Sequence, residues 1–246
     1  MVRLGLIVRY FIFVLIGFLG HSVTGVTLPS SPRAEKSIEQ VRPSLTKTLH
    51  ERGLQYGAPV FIRVFKDPGL LELWVESASK KFELFKTYDI CSFSGELGPK
   101  VRQGDNQAPE GFYYVNPDRL NPWSRFHLSF NLGYPNTYDR YHGRTGDYLM
   151  IHGDCVSIGC YAMTNTYMNE IYALTAAALE QGQPFVRVHI FPFMLEQERL
   201  QTYASHEWYG FWLNLKEGYE YFNLNNVPPN VEVSNGRYVF NSAVDD

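Results

Sequence analysis

The chain has 246 residues, a length that suits one domain with some left over for targeting and linker segments. At 45% hydrophobic and 19% charged residues it has ordinary globular composition, and a net charge of −3 argues against a nucleic-acid partner.

Reading from the N-terminus, Arg3 and Arg9 precede the apolar run Tyr10–Leu19, and small residues follow at Val23-Thr-Gly25. A positive segment, a short apolar core and small residues are the pattern of a secretory signal peptide. The run is short for a membrane span of about 20 residues, so residues 1–25 are read as a cleaved signal, with a retained anchor as the alternative. Both place the rest of the chain outside the cytoplasm. Losing the two arginines takes the net charge from −3 to −5.

Residues 26–58 carry Pro29, Pro32 and Pro43 among serines and charges. They are expected to form an N-terminal arm, preferred as a tether over a short helix within Ser37–Leu54. Strands begin at Val60–Phe65, and Leu70–Val75 returns after the turn Lys66-Asp-Pro-Gly69, which predicts a hairpin. Phe82–Cys91 continues the sheet. Ser94–Gly111 is a long loop marked by glycine and proline, of a length usually functional or mobile. Gly111–Val115 is another strand, and residues 116–147 read as an irregular excursion with short strands.

Leu149–His152 is a strand that leads into a loop rich in chemistry. Tyr167, Ile171, Leu174 and Ala178 predict a helix from about Thr166 to Gln181, capped by Asn165 or Thr166 and stopped by Gly182. Pro184–Phe191 reads as a strand, residues 205–224 as an aromatic-rich helix, and Val231–Phe240 as a last hairpin around Ser234-Asn-Gly236. The architecture expected is mainly β with added helices, over residues 59–240, with 241–246 as a tail.

The stretch Leu149–Met163, LMIHGDCVSIGCYAM, holds His152, Asp154 and two of the three cysteines. Three chemistries compete for it. A zinc site lacks a second ligand pair, so no metal is expected. A disulfide is open: Cys155–Cys160 would close a tiny loop, and Cys91 could instead pair with Cys155. In an oxidising compartment three cysteines cannot all pair within one chain, and a free cysteine near a histidine is a candidate nucleophile. His152, at a strand end, would take the Cys160 proton, and the pair could stand as thiolate and imidazolium. Gly159 allows a turn most residues resist, and backbone N–H groups near Cys160 could receive an oxyanion.

His152-Gly153 followed by Ser157-Ile-Gly-Cys160 resembles the YkuD-type L,D-transpeptidase catalytic domain family, whose pattern is His-Gly, a spacer, then Ser-His-Gly-Cys and an arginine. Here the spacer is shorter, Ile158 replaces the second histidine, and Ala162 stands where the arginine is expected. Those departures resemble the YafK-like (DpaA) branch. Cys91–Lys100, Gly104-Asp105, Pro109–Tyr113, Tyr138-Asp-Arg140, His142-Gly143 and Gly236-Arg-Tyr238 extend the likeness over roughly residues 59–240.

The resemblance implies an open β-barrel-like sheet with the catalytic cysteine in a cleft. It implies Cys160 as nucleophile and His152 as general base and acid, with no cofactor. It implies a periplasmic enzyme on the peptidoglycan stem peptide, which cleaves the link between diaminopimelate and an outer-membrane lipoprotein. Two alternatives stand beside it: a true L,D-transpeptidase that forms 3-3 cross-links or attaches proteins, and a non-catalytic wall-binding module. Gly153, Ser157 and Gly159 are expected to support the loop or the oxyanion. Lys100, Arg102, Arg140, His142 and Asp154 are candidate substrate contacts. Asp154 is read slightly more readily as a cap of the turn, and surface charge explains Lys100, Arg102, Arg140 and Arg144 equally well.

Overall fold

A computed structural model describes residues 26–241. The expected signal segment, residues 1–25, and the last residues of the tail lie outside them. Among the described residues no helix is long and apolar enough to cross a membrane.

The N-terminal arm is a helix. In α1 (Pro32–Glu51) the Ser31 Oγ accepts from Ala34 N–H at 3.2 Å, and Pro32 sits in the first turn, where its missing N–H leaves no bond unmade. Ala34, Leu45 and Leu49 are buried, with Ile38 and Val41 half-covered between them. That spacing makes one apolar stripe, and it packs α1 on α3 (Asn165–Glu180). The tether expected from the proline-marked, polar composition of this segment is therefore corrected: few apolar residues suffice when they fall on one face.

Strands β1 (Val60–Asp67), β2 (Leu70–Glu76), β3 (Phe82–Asp89), β5 (Gly111–Val115) and β10 (Val186–Phe193) form one sheet in the order β3-β2-β1-β10-β5. The predicted hairpin is β1–β2, antiparallel with Val60 opposite Val75. β10 runs parallel to β1 and antiparallel to β5. β1 is buried on both faces because its side chains alternate between two cores. Val60, Ile62 and Val64 join Ile171 and Leu174 of α3, whereas Phe65 joins Trp212 and Leu215 of α5 (Tyr209–Asn225). α5 begins later than the sequence suggests, after the short α4 (Gln197–Gln201).

A second sheet carries the chemistry. It has the order β4-β9-β8-β7-β6, built from β4 (Ser92–Phe93), β6 (Leu120–Asn121), β7 (Ser129–Asn131), β8 (Met150–His152) and β9 (Tyr161–Ala162). Between β7 and β8, α2 (Thr137–Tyr141) starts with a capping box in which Asn136 and Asp139 exchange side-chain and backbone bonds. The last hairpin is β11 (Asn230–Ser234) with β12 (Arg237–Asn241).

The long loop before β5 is pinned rather than loose. Lys66 and Glu110, both fully buried, pair at 3.2 Å. Lys66 Nζ also donates to Gly98 O at 2.6 Å, and Glu110 accepts from Gly98 N–H at 2.7 Å and from Trp212 Nε1 at 2.8 Å. A buried charge needs such a complete set of partners.

Candidate active site

β8 and β9 are parallel neighbours, with Ile151 opposite Tyr161 and His152 opposite Ala162. Cys160 immediately precedes β9 and stands two residues before Ala162, the register partner of His152, so the paired strands bring the two residues into one neighbourhood. The eight-residue connection Gly153–Cys160 is too short for a helical crossover and turns tightly on left-handed backbone at Asp154 (φ 73°), Cys155 (φ 48°) and Gly159 (φ 91°).

Bonds across the fold hold that turn. Cys155 is joined to Cys91 by a disulfide, with Cα atoms 5.2 Å apart. Cys91 N–H donates to Ala162 O at 2.9 Å and Cys155 N–H to Met163 O at 3.3 Å. Ser157 Oγ accepts from Cys160 N–H at 2.9 Å and donates to Cys160 O at 2.6 Å. Ser94 Oγ accepts from Gly159 N–H at 2.6 Å. Gly153 has no room for a side chain, because a Cβ there would lie 2.5 Å from Asn165 Oδ1 and 2.9 Å from His127 Cβ.

Cys160 is the one free cysteine of the chain, and it is buried. Its thiol donates to Tyr148 O at 3.7 Å. His152 is buried against the Phe126 ring, 4.8 Å between centroids. Its Nδ1 lies 2.5 Å from Gly153 O. A carbonyl only accepts, so Nδ1 carries the proton and Nε2 is the nitrogen with a lone pair to offer. Burial pushes the His152 pKa down, against the Gly153 carbonyl and the Asp154 charge. Burial pushes the Cys160 thiol up, against the Met150 backbone and the Lys100 charge. Both directions favour neutral imidazole and neutral thiol at rest, in contrast to the thiolate–imidazolium pair that adjacency in sequence suggests.

The other predicted residues separate into groups. Gly153, Ser157 and Gly159 shape the loop. The N–H groups of Gly159 and Cys160 are already bonded to Ser94 and Ser157, so in this state neither is open to an oxyanion. Asp154 is exposed; its N–H donates to Asn165 Oδ1 at 2.8 Å and its carboxylate accepts from Asn165 Nδ2 at 3.4 Å, so it closes the turn while His152 bonds elsewhere. Lys100 is a buried cation paired with Asp105, and the Lys100 charge reaches Cys160. Arg102 is exposed on the same loop. Arg140 bonds Pro135 O and Thr137 within its own segment, and His142 Nε2 contacts Gly236 O at 2.9 Å. Those two join α2 to its surroundings and make no hydrogen bond to the Cys160 loop. Arg144 is buried in a pair with Asp139 at 2.8 Å.

Two site residues escape the sequence reading. Ser94 lies in a stretch that resembles the family, but nothing local shows that it holds Gly159, 65 residues away. The Tyr148 carbonyl accepts the thiol hydrogen; the residue has left-handed backbone (φ 52°) and is 71% exposed. Tyrosine in that conformation is an outlier of the kind that collects at functional sites.

Comparison with known proteins places the chain in a family. Residues 76–190 match the YkuD family, described as the L,D-transpeptidase catalytic domain. The chain is 49% identical over 183 residues to YafK of Escherichia coli K-12, whose name places it provisionally among the L,D-transpeptidases; the match covers 74% of each chain. The YafK of E. coli O157:H7 matches equally. Among solved structures, the helical cell shape determining protein Pgp2 of Campylobacter jejuni shares 18% identity over 76% of this chain and 79% of its own, with a TM-score of 0.43. Bd1075 of Bdellovibrio bacteriovorus shares 17% over 72% and 78%, with a TM-score of 0.39. By the YafK match and the catalytic-domain match together, the chain belongs to the L,D-transpeptidase family with a YkuD-type catalytic domain, enzymes that act on peptidoglycan.

Proposed function

We propose that this protein is a periplasmic cysteine enzyme that cleaves the amide joining peptidoglycan diaminopimelate to a covalently attached lipoprotein. The observation that carries the mechanism is the single free thiol, Cys160, at the start of the strand that pairs with the strand of a buried histidine whose Nε2 is left to accept a proton. The disulfide removes the other two cysteines from candidacy.

In this reading Cys160 Sγ attacks the carbonyl of the diaminopimelate amide while His152 Nε2 takes the thiol proton. The tetrahedral intermediate collapses, the C–N bond breaks, and His152 returns the proton to the departing amine. Water then attacks the thioester with His152 as base, the acid is released, and Sγ regains its proton. A developing oxyanion would compete with Ser157 Oγ for the Cys160 N–H, so Ser157 is a loop positioner whose hydroxyl must yield as the intermediate forms. If an amine instead of water resolves the thioester, the same first half gives a transpeptidase, the activity in the relatives' name. The arginines of residues 1–9 and the apolar run after them support export.

Sacculi carrying bound lipoprotein, incubated with the protein and with Cys160→Ala or His152→Ala, test the assignment by mass spectrometry of the products. Release by the wild type alone establishes the hydrolase. New 3-3 cross-links or exchanged terminal residues identify a transpeptidase. Release by either variant refutes the assigned role of that residue, and sacculus binding without any product identifies a wall-binding module.

A further inference from the structure

Strand register gathers an unusual set of groups on one face of the five-stranded sheet. Phe61 stands opposite Arg187, Arg63 opposite His189, Arg187 opposite Tyr114 and His189 opposite Phe112. The two arginines of that face differ. Arg63 Nε and Nη2 reach Glu72 at 2.8 and 2.7 Å, and its Nη1 reaches Asn223 at 2.7 Å. Arg187 makes one hydrogen bond, from Nη2 to Asn230 Oδ1 at 2.5 Å, and pairs with no carboxylate among the described residues. It is half-buried, and burial works against its charge.

A cleft of about 780 Å³ opens beside it, between this sheet and β11. Tyr114, Phe185, Arg187, His189, Asn230 and Glu232 contribute to its lining. His189 is 1% exposed, and its Nδ1 has no hydrogen-bond partner among the described residues. Phe61 and Phe112 meet its ring edge-on, each at 4.7 Å, which supplies packing and no acceptor of ordinary strength. Glu232, exposed at the rim, lies two residues beyond Asn230 and so on the same side of β11. The volume is that of a small-molecule site, with apolar walls and a few polar groups converging on it.

We infer that this cleft is a second binding site, separate from Cys160, for a ligand that carries an ammonium and a carboxylate on one carbon next to an apolar group. The carboxylate pairs with Arg187, the ammonium faces Glu232, and the apolar part lies on Tyr114 and Phe185. An arginine without a counter-ion in a half-buried wall gains most from a carboxylate; Nε and Nη1 are free, and the second hydrogen of Nη2 can complete a two-point bond beside one of them. His189 offers a further polar contact at the floor.

Phenylalanine, phenylacetate and phenylalaninamide are the probes, titrated against the protein by calorimetry and by NMR of the Arg187 side chain and His189 ring. Phenylalanine is expected to bind and to shift both residues, and each probe lacking one charge to bind more weakly. Arg187→Gln is expected to lower phenylalanine affinity by about tenfold or more, the scale of a lost charge-assisted pair, with Arg187→Lys in between. Arg187→Lys also keeps the test valid should the glutamine variant fold poorly, and melting curves identify that case. Absence of any shift at Arg187 and His189, or equal affinity in wild type and a folded Arg187→Gln, overturns the inference. Equal binding of phenylacetate and phenylalanine overturns the role of Glu232. Release of lipoprotein from sacculi should be unchanged in Arg187→Gln, so this test and that of the Cys160 mechanism fail separately.

Discussion

Replacing both Cys91 and Cys155 with alanine tests whether the active-site loop depends on its staple. The bridge joins residues 64 apart in sequence. Opening a loop of that size returns entropy to the unfolded chain worth about 4 kcal/mol on the chain-entropy account, and measured bridges commonly contribute about 2–4 kcal/mol. The double variant avoids leaving a stray thiol that could pair with Cys160. Urea unfolding, followed by tryptophan fluorescence, should therefore show stability reduced by about 2–4 kcal/mol, with a slope no smaller than wild type because the unfolded chain is released from its cross-link. Turnover should fall further than stability explains, because Cys155 keeps left-handed backbone five residues before the nucleophile. A loss below about 1 kcal/mol would refute the account, since even the low end of the usual range would be missing. Thiol titration of the unfolded, unreduced wild type gives an independent reading: one free thiol is expected, and three would show that the bridge does not form.

Three further outcomes follow from the geometry. Cys160 alkylation by iodoacetamide should be slow at neutral pH and climb above pH 8, while turnover should fall as pH drops through a His152 pKa lying below about 6.5. The sign follows from burial, which raises the thiol and lowers the imidazole; a flat alkylation plateau between pH 5 and 8 would instead reveal a thiolate–imidazolium pair. Gly153→Ala should cost about 1–3 kcal/mol and most of the activity, because the new methyl meets Asn165 and His127; wild-type melting and turnover would contradict the packing. Lys66→Met should destabilise by about 3–5 kcal/mol by stranding Glu110 in the core, read by urea unfolding; a loss under about 1 kcal/mol would show that Glu110 finds another partner or takes up a proton.

The sequence alone displays the residues of the candidate site. His152, Gly153, Ser157, Gly159 and Cys160 fall within nine residues, and a strand followed by a tight turn can be read from alternation and glycine alone. It also determined most of the first sheet, because the β1–β2 hairpin and α3 carry strong local patterns. Tertiary structure decided what depends on distant partners. The arm became α1 because Leu45 and Leu49 meet α3, a contact that residues 26–58 do not encode alone. The choice among cysteine pairings fell to Cys91–Cys155 because β4 lies against β9. The protonation of Cys160 and His152 follows from burial, which no local motif reports. Arg140 and His142 were drawn away from the loop by α2, and Arg187 was left without a carboxylate while Arg63 found Glu72. Local pattern states which groups are present; packing sets which of them meet, and how far water is excluded when they do.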